Sequence, residues 1–171
     1  MLRLPVTESE ASGGFREFED GLGRRYRGAA PLDGTNPLEI LCFRHEITAV
    51  PSFEFALRER FARVSDFEHP FFARIRKIDK LNDEHGTVAL MSDGVAGDRL
   101  SRILTDVEGA RGPVVDVSSA LHLVRQLIAA VAALHQHTRV AHGAIALERL
   151  CVTPRGQLVS SNTRWAPRSN N

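Results

Sequence analysis

From Ala120 to Leu134 the chain is almost uninterruptedly apolar, and this stretch limits what it can fold into more than any other. Leu121, Val124, Leu127, Ile128, Val131 and Leu134 recur at three- and four-residue spacing, which predicts a helix with a broad apolar face. Ala129, Ala130, Ala132 and Ala133 make much of the remaining circumference small and non-polar. A helix of that kind is expected to be covered on more than one side. Asp116 or Ser118 is placed to cap it, because a short side-chain oxygen can take the free N–H groups of a first turn.

Further elements follow from pattern. Phe15 to Phe18 alternates and runs into a Gly21-Leu22-Gly23 turn, and Leu38–Phe43 is a short apolar run expected to be a buried strand. Pro51-Ser52 opens a helix on which Phe53, Leu57, Phe61 and Val64 form one stripe, with Glu54, Arg58, Glu59 and Arg63 off it. Phe71 to Ile78 and Thr87 to Met91 read as a hairpin around Asn82–Gly86. Asp93–Asp98 is the expected linker, and a short helix is expected over Arg99 to Leu104. After the apolar helix, Val140 to Thr153 leads through a Pro154-Arg155-Gly156 turn into a second small hairpin. The order predicts an α+β chain in two parts.

With 43% hydrophobic residues among 171 and a net charge of +1, one core is expected and a general attraction to nucleic acid or an anionic membrane is not. The N-terminus lacks a signal-peptide core and no run is read as membrane-spanning, so a soluble, cytoplasmic protein is expected. Cys42 and Cys151 read as buried free thiols. His135, His137 and His142 lack flanking acidic or thiol ligands at a recognisable spacing, so no metal site is expected there. Arg24-Arg25-Tyr26-Arg27 and Arg74-Ile75-Arg76-Lys77 read as solvated faces and not as phosphate contacts, and the phenylalanines at 53, 55, 61, 67, 71 and 72 read as core.

In this order the chain resembles the N-terminal lobe and the first part of the C-terminal lobe of a Hanks-type serine/threonine protein kinase, from about Phe15 to about Asn162. Leu22-Gly23-Arg24-Arg25-Tyr26 is similar to a worn glycine-rich loop. Glu59 with Phe67-Glu68-His69-Pro70 is similar to the C-helix glutamate and the HP motif. Val88 to Met91 with Gly97-Asp98-Arg99-Leu100 resembles the hinge, Leu134-His135 with Val140-Ala141-His142-Gly143 the approach to the catalytic loop, and Gly156-Gln157-Leu158-Val159 the strand before the DFG motif. The resemblance implies a flexible arm at 1–14, an N-lobe of antiparallel sheet and one helix at 15–93, the first helices and small hairpin of a C-lobe at 94–162, and a disordered tail at 163–171.

The same resemblance removes the chemistry. A kinase needs a third-strand lysine for the phosphates, an aspartate for the substrate hydroxyl, an asparagine and a second aspartate for magnesium, and glycines over the phosphates. The run Leu38–Phe43 has no lysine, and the only two lysines, Lys77 and Lys80, fall after the C-helix counterpart. The catalytic aspartate aligns with Ala144, its lysine with Ala146, the metal-binding asparagine with Arg149 and the DFG aspartate with Asn162. Methyl groups neither accept a proton nor coordinate a cation, and a neutral amide is a poor ligand for a hard one.

The expectation is therefore a degenerate, truncated kinase relative that is not an enzyme. It would have no metal and no cofactor beyond residual ATP binding, with Gly23 and Glu59 as weak candidate contacts. It would act as a binding or regulatory module for an unidentified protein partner, with no nucleic acid or membrane, and could self-associate through helix 120–134. The alternatives are a phosphotransferase using rearranged residues such as Glu148 or Asp93, and a non-functional front fragment of a longer kinase-like protein, whose apolar helix would lack its covering helices.

Overall fold

The computed structural model describes residues 16–28, 37–105, 115–139 and 145–161. They fall into two compact units, one within Met1–Glu59 and Arg74–Gly94, the other within Arg60–Ala73 and Val95–Asn171.

The first unit is an antiparallel sheet. Its strands are β1 (Arg16–Asp20), β2 (Gly23–Arg27), β3 (Leu38–Phe43), β4 (Ile75–Lys80) and β5 (Val88–Asp93), in the order β1-β2-β3-β5-β4. Between β3 and β4 come a one-turn helix, α1 (His45–Thr48), and α2 (Phe53–Val64). Strand β3 lies between β2 and β5, and Ile40 to Phe43 are all buried. Successive side chains alternate across the sheet. Ile40 and Cys42 join Leu81, Ala89 and Met91 on one face, while Glu39, Leu41 and Phe43 point to the other. There the Phe43 ring meets Phe53 of α2 edge-on at 5.1 Å. The predicted stripe of α2 is buried at Phe53, Leu57 and Val64, but Phe55 stands 73% exposed and is not core.

The β2–β3 register places Arg27 opposite Glu39 and Arg25 opposite Leu41, so both arginines share the Glu39 face. Arg25 is completely buried, which corrects its reading as part of a solvated basic face. Its Nε donates to Asp20 Oδ2 and its Nη1 to Glu39 Oε1, both at 3.1 Å, and Arg27 Nη2 donates to Glu39 Oε2 at 3.3 Å. The Phe18 ring lies 5.7 Å from the Arg25 guanidinium carbon, within cation–π range.

In the second unit, β6 (Asp98–Arg99), β7 (Leu150–Val152) and β8 (Leu158–Ser160) form a small antiparallel sheet. With it lie α3 (Leu100–Thr105), α4 (Val117–Thr138) and a 3₁₀ turn at Leu147–Arg149. The expected linker is thus partly ordered: Asp93 ends β5 and Asp98 begins β6, which turns the predicted hairpin into three strands. The strand expected from Phe71 begins only at Ile75. Phe72 makes a parallel bridge to Ser160, with Ala73 N donating to Ser160 O and Ser160 N to Phe71 O. Residues 71–73 therefore extend the second unit's sheet. Both cysteines are buried.

Asp116 caps α4, its Oδ1 accepting from Ser119 N at 2.9 Å. Only Ala130 and Leu134 of α4 are buried, and Val117, Leu121, Val124 and Ile128 are 76%, 52%, 49% and 63% exposed. The covering expected on several sides is present on one among the described residues. At 22 residues, α4 is also long and apolar enough to cross a membrane by length and composition alone, contrary to the reading that no run reached that length.

Removing Arg25 leaves the Asp20 and Glu39 carboxylates buried without their shared cation. Arg25→Met is expected to cost about 3–5 kcal/mol in urea unfolding, and Arg25→Met combined with Asp20→Asn and Glu39→Leu to recover most of that loss. A single variant as stable as the parent would show that the network holds nothing together.

Candidate functional site

The positions singled out by sequence divide into those the structure describes and those it does not. His142, Gly143, Ala144 and Asn162 lie outside the described residues. Gly23, Glu59, Ala146 and Arg149 lie within them.

Gly23 opens β2 with φ +152°, and a Cβ there would collide with the Cys42 carbonyl oxygen across the β2–β3 ladder. Close strand approach therefore accounts for this glycine without any ligand. The β1–β2 connection is a tight two-residue turn, Gly21-Leu22, closed by the Asp20–Gly23 pair. Asp20 Oδ1 accepts from Leu22 N at 2.7 Å and Gly23 N at 3.3 Å. Turn amides of this kind are what a phosphate-cradling loop offers its anion. Here the chain's own carboxylate takes them, and its second oxygen is held by Arg25.

On β3, the side chains on the face toward α2 are Glu39, Leu41 and Phe43: a buried carboxylate, an aliphatic and an aromatic that packs on the helix. An ion pair from the sheet to α2 comes from β4. Lys80 Nζ lies 2.7 Å from Glu54 Oε2, and the same carboxylate also takes Arg58 one helical turn on at 3.1 Å. Glu59 is exposed. The Lys80 hydrogen bond, aided by Arg58 and opposed by slight burial, holds the Glu54 carboxyl below its ordinary range.

Ala146 precedes the 3₁₀ turn and Arg149 ends it, buried. The Arg149 carbonyl accepts from Ser161 N at 2.8 Å and Ser161 Oγ at 3.2 Å, and Arg99 Nη1 donates to Glu148 O at 2.6 Å. These contacts tie the turn to β6 and to the residue after β8. Asp93 pairs with Arg76. His137 packs at 5.3 Å from Phe67, within a cluster that includes His69 and Phe72. Among the described residues no group of three His, Cys, Asp or Glu is placed to hold a metal.

Described residues line a cavity in each unit. In the first, about 350 Å³ opens beside Arg24, Tyr26, Cys42, Arg44, His45 and Leu81. In the second, about 450 Å³ lies among Leu100, Ile103, His122, Leu123 and Val152. Neither is lined by Gly23, Glu59, Ala146 or Arg149.

Sequence reasoning missed Asp20, Glu39, Glu54 and Lys80 as partners. For Asp20 a signal existed, since an aspartate directly before Gly-Leu-Gly can bond the amides two and three residues on. Glu39 within an apolar strand was the other, because a buried carboxylate demands a cation.

A five-stranded antiparallel sheet in the order β1-β2-β3-β5-β4, with α1 and α2 between β3 and β4, followed by helices and a small sheet, is a protein-kinase-like fold. A double mutant of the Mycobacterium tuberculosis PknI kinase domain matches with a TM-score of 0.72 at 16% identity, over 95% of this chain and 66% of that one. The unmutated PknI kinase domain gives 0.69 at 15% identity, over 96% and 65%. The maize SIRK1 kinase domain, solved with AMP-PNP, gives 0.68 at 14% identity, over 88% and 51%. At these identities the likeness establishes the fold alone. The chain spans slightly under two thirds of the PknI domains it matches and about half of the SIRK1 domain. No protein-family model matches the sequence, and no curated protein matches it.

A carboxyl whose pKa is lowered by folding stabilises the folded state above its ordinary pKa, and that contribution disappears as the pH falls through the lowered one. Glu54→Gln should therefore make the acid limb of a stability-against-pH profile shallower. The change at neutral pH should stay under about 1 kcal/mol, since the pair is largely solvated. An unchanged acid limb in chemical denaturation would contradict the Lys80–Glu54 contact.

Proposed function

We propose that this chain is a catalytically inactive protein-kinase-like domain that works by binding a protein partner. The observation that carries this reading is the Asp20 carboxylate lodged on the Leu22 and Gly23 amides and locked to buried Arg25. A phosphate approaching that turn meets a fixed negative charge and amides already taken. The described residues do not fit a nucleotide triphosphate. Beyond the turn, β3 carries no lysine but a buried carboxylate, Glu39, and the nearby buried Arg25 is divided between two internal carboxylates. Ala144, Ala146, Arg149 and Asn162, at the positions the kinase resemblance assigns to catalysis and magnesium, point the same way.

A scaffold with its chemistry replaced by internal ion pairs retains surfaces as its means of action. Titration calorimetry with ATP and magnesium up to millimolar concentration is expected to give no binding heat, and labelled ATP no transfer to protein substrates. Pull-down from cell extract, with mass spectrometry, is expected to recover one protein reproducibly, and its yield should not change when ATP is added. ATP binding that is lost in Asn162→Ala would overturn the reading, as would repeated failure to recover any specific protein.

A further inference from the structure

On the outer side of α4, Val117, Leu121, Val124 and Ile128 form a continuous exposed stripe with intervals of four, three and four residues. That spacing is a heptad seam, the pattern by which two helices interlock at a shallow crossing angle. It also reads the same in both directions. A two-fold axis across the helix between residues 122 and 123 sets Val117 against Ile128 and Leu121 against Val124. Ala120, Ala129 and Ala132 flank the stripe, are exposed, and are small enough for close approach.

We propose that this face is covered by a second copy of the same chain, docked antiparallel through α4 in an isologous dimer. The proposal does not depend on the loss of nucleotide binding argued above, because it concerns the second unit alone.

Size supports this occupant. The stripe offers on the order of 400 Å² of apolar surface per copy, in the range that marks interaction sites. Two copies with their flanking alanines approach the roughly 1,000 Å² that a specific interface needs. Charge is compatible as well. Arg125 is the one Asp, Glu, Lys or Arg in α4, and the two-fold sets it against Ala120 of the other copy, so no like charges meet.

A lipid bilayer is another candidate occupant, and two features of α4 disfavour it. Gln126 is bonded to the small sheet through Gly156 O and Leu158 N, at 3.0 and 2.9 Å, and Leu134 is fully buried. Insertion across a membrane would tear the helix from its own unit. Lying flat on an anionic surface calls for a basic polar face, and one arginine does not make one.

The test is sedimentation velocity of the full chain from about 1 to 100 µM. A discrete dimer is expected for the parent. Val124→Glu with Ile128→Glu, at exposed positions, should leave the circular dichroism unchanged and raise the dimer dissociation constant at least about a hundredfold. If that variant fails to fold, Ile128→Asn alone takes its place with the same expected direction. A second readout fixes the register: mixing Leu121→Cys chains with Val124→Cys chains should give the mixed disulfide in preference to either homodimeric one. A parent that stays monomeric throughout, forms only polydisperse aggregates, stays dimeric in both charged and polar variants, or floats as a monomer with phosphatidylserine vesicles overturns the proposal.

Discussion

The first unit depends on one buried cation. Arg25 sits between Asp20 and Glu39 with no exposed surface, and it links three consecutive strands through side chains alone. Burying ions is costly, and the attraction between them offsets that cost only where geometry and hydrogen bonding are good. Here the match is incomplete, because Arg25 Nη2 is buried with no hydrogen-bond partner. Such an arrangement does more for uniqueness than for stability. Slipping β2 by one residue against β3 would move Arg25 to the opposite face and strand two carboxylates. The alternation that puts Leu41 and Phe43 against α2 is thus fixed by charge as well as by oil.

The order of elements was legible because it rests on local signals. Leu38–Phe43 is a short apolar run with turn residues before it, Phe53 to Val64 has helical spacing, and Asp116 is a recognisable cap. The strand from Phe71 was misplaced for a physical reason. Two adjacent phenylalanines have high strand propensity wherever they fall, and their partner, Ser160, lies far along the chain. The depth of Arg25 was equally invisible. Nothing local separates an arginine on a solvated strand from one whose countercharges arrive from β1 and β3. On α4, apolar content foretold burial, yet the described residues cover one side only, since propensity specifies a surface and not what lies on it.

Of the candidate site, the residue types were visible in the sequence and the structure adds how they are paired. Absence of a β3 lysine could be read directly. That Asp20 fills the β1–β2 turn, that Phe43 occupies the helix side of β3, and that Lys80 engages α2 from a different strand could not. Each of these groups has an internal partner: carboxylate on amides, ring on ring, ammonium on carboxylate.

Gln126 has a consequence for the small sheet. A primary amide carries one carbonyl and an N–H donor, as a peptide group does, and Gln126 sets its oxygen on Leu158 N and its nitrogen on Gly156 O. The start of β8 thus meets the equivalent of one more ladder rung, supplied by a helix. An unpaired strand edge is a template for any passing extended chain. With residues 71–73 on Ser160 and a side chain that cannot propagate on Leu158, the outer edge of β8 is closed to further strand addition, while the other side of α4 stays available for pairing of a bounded kind.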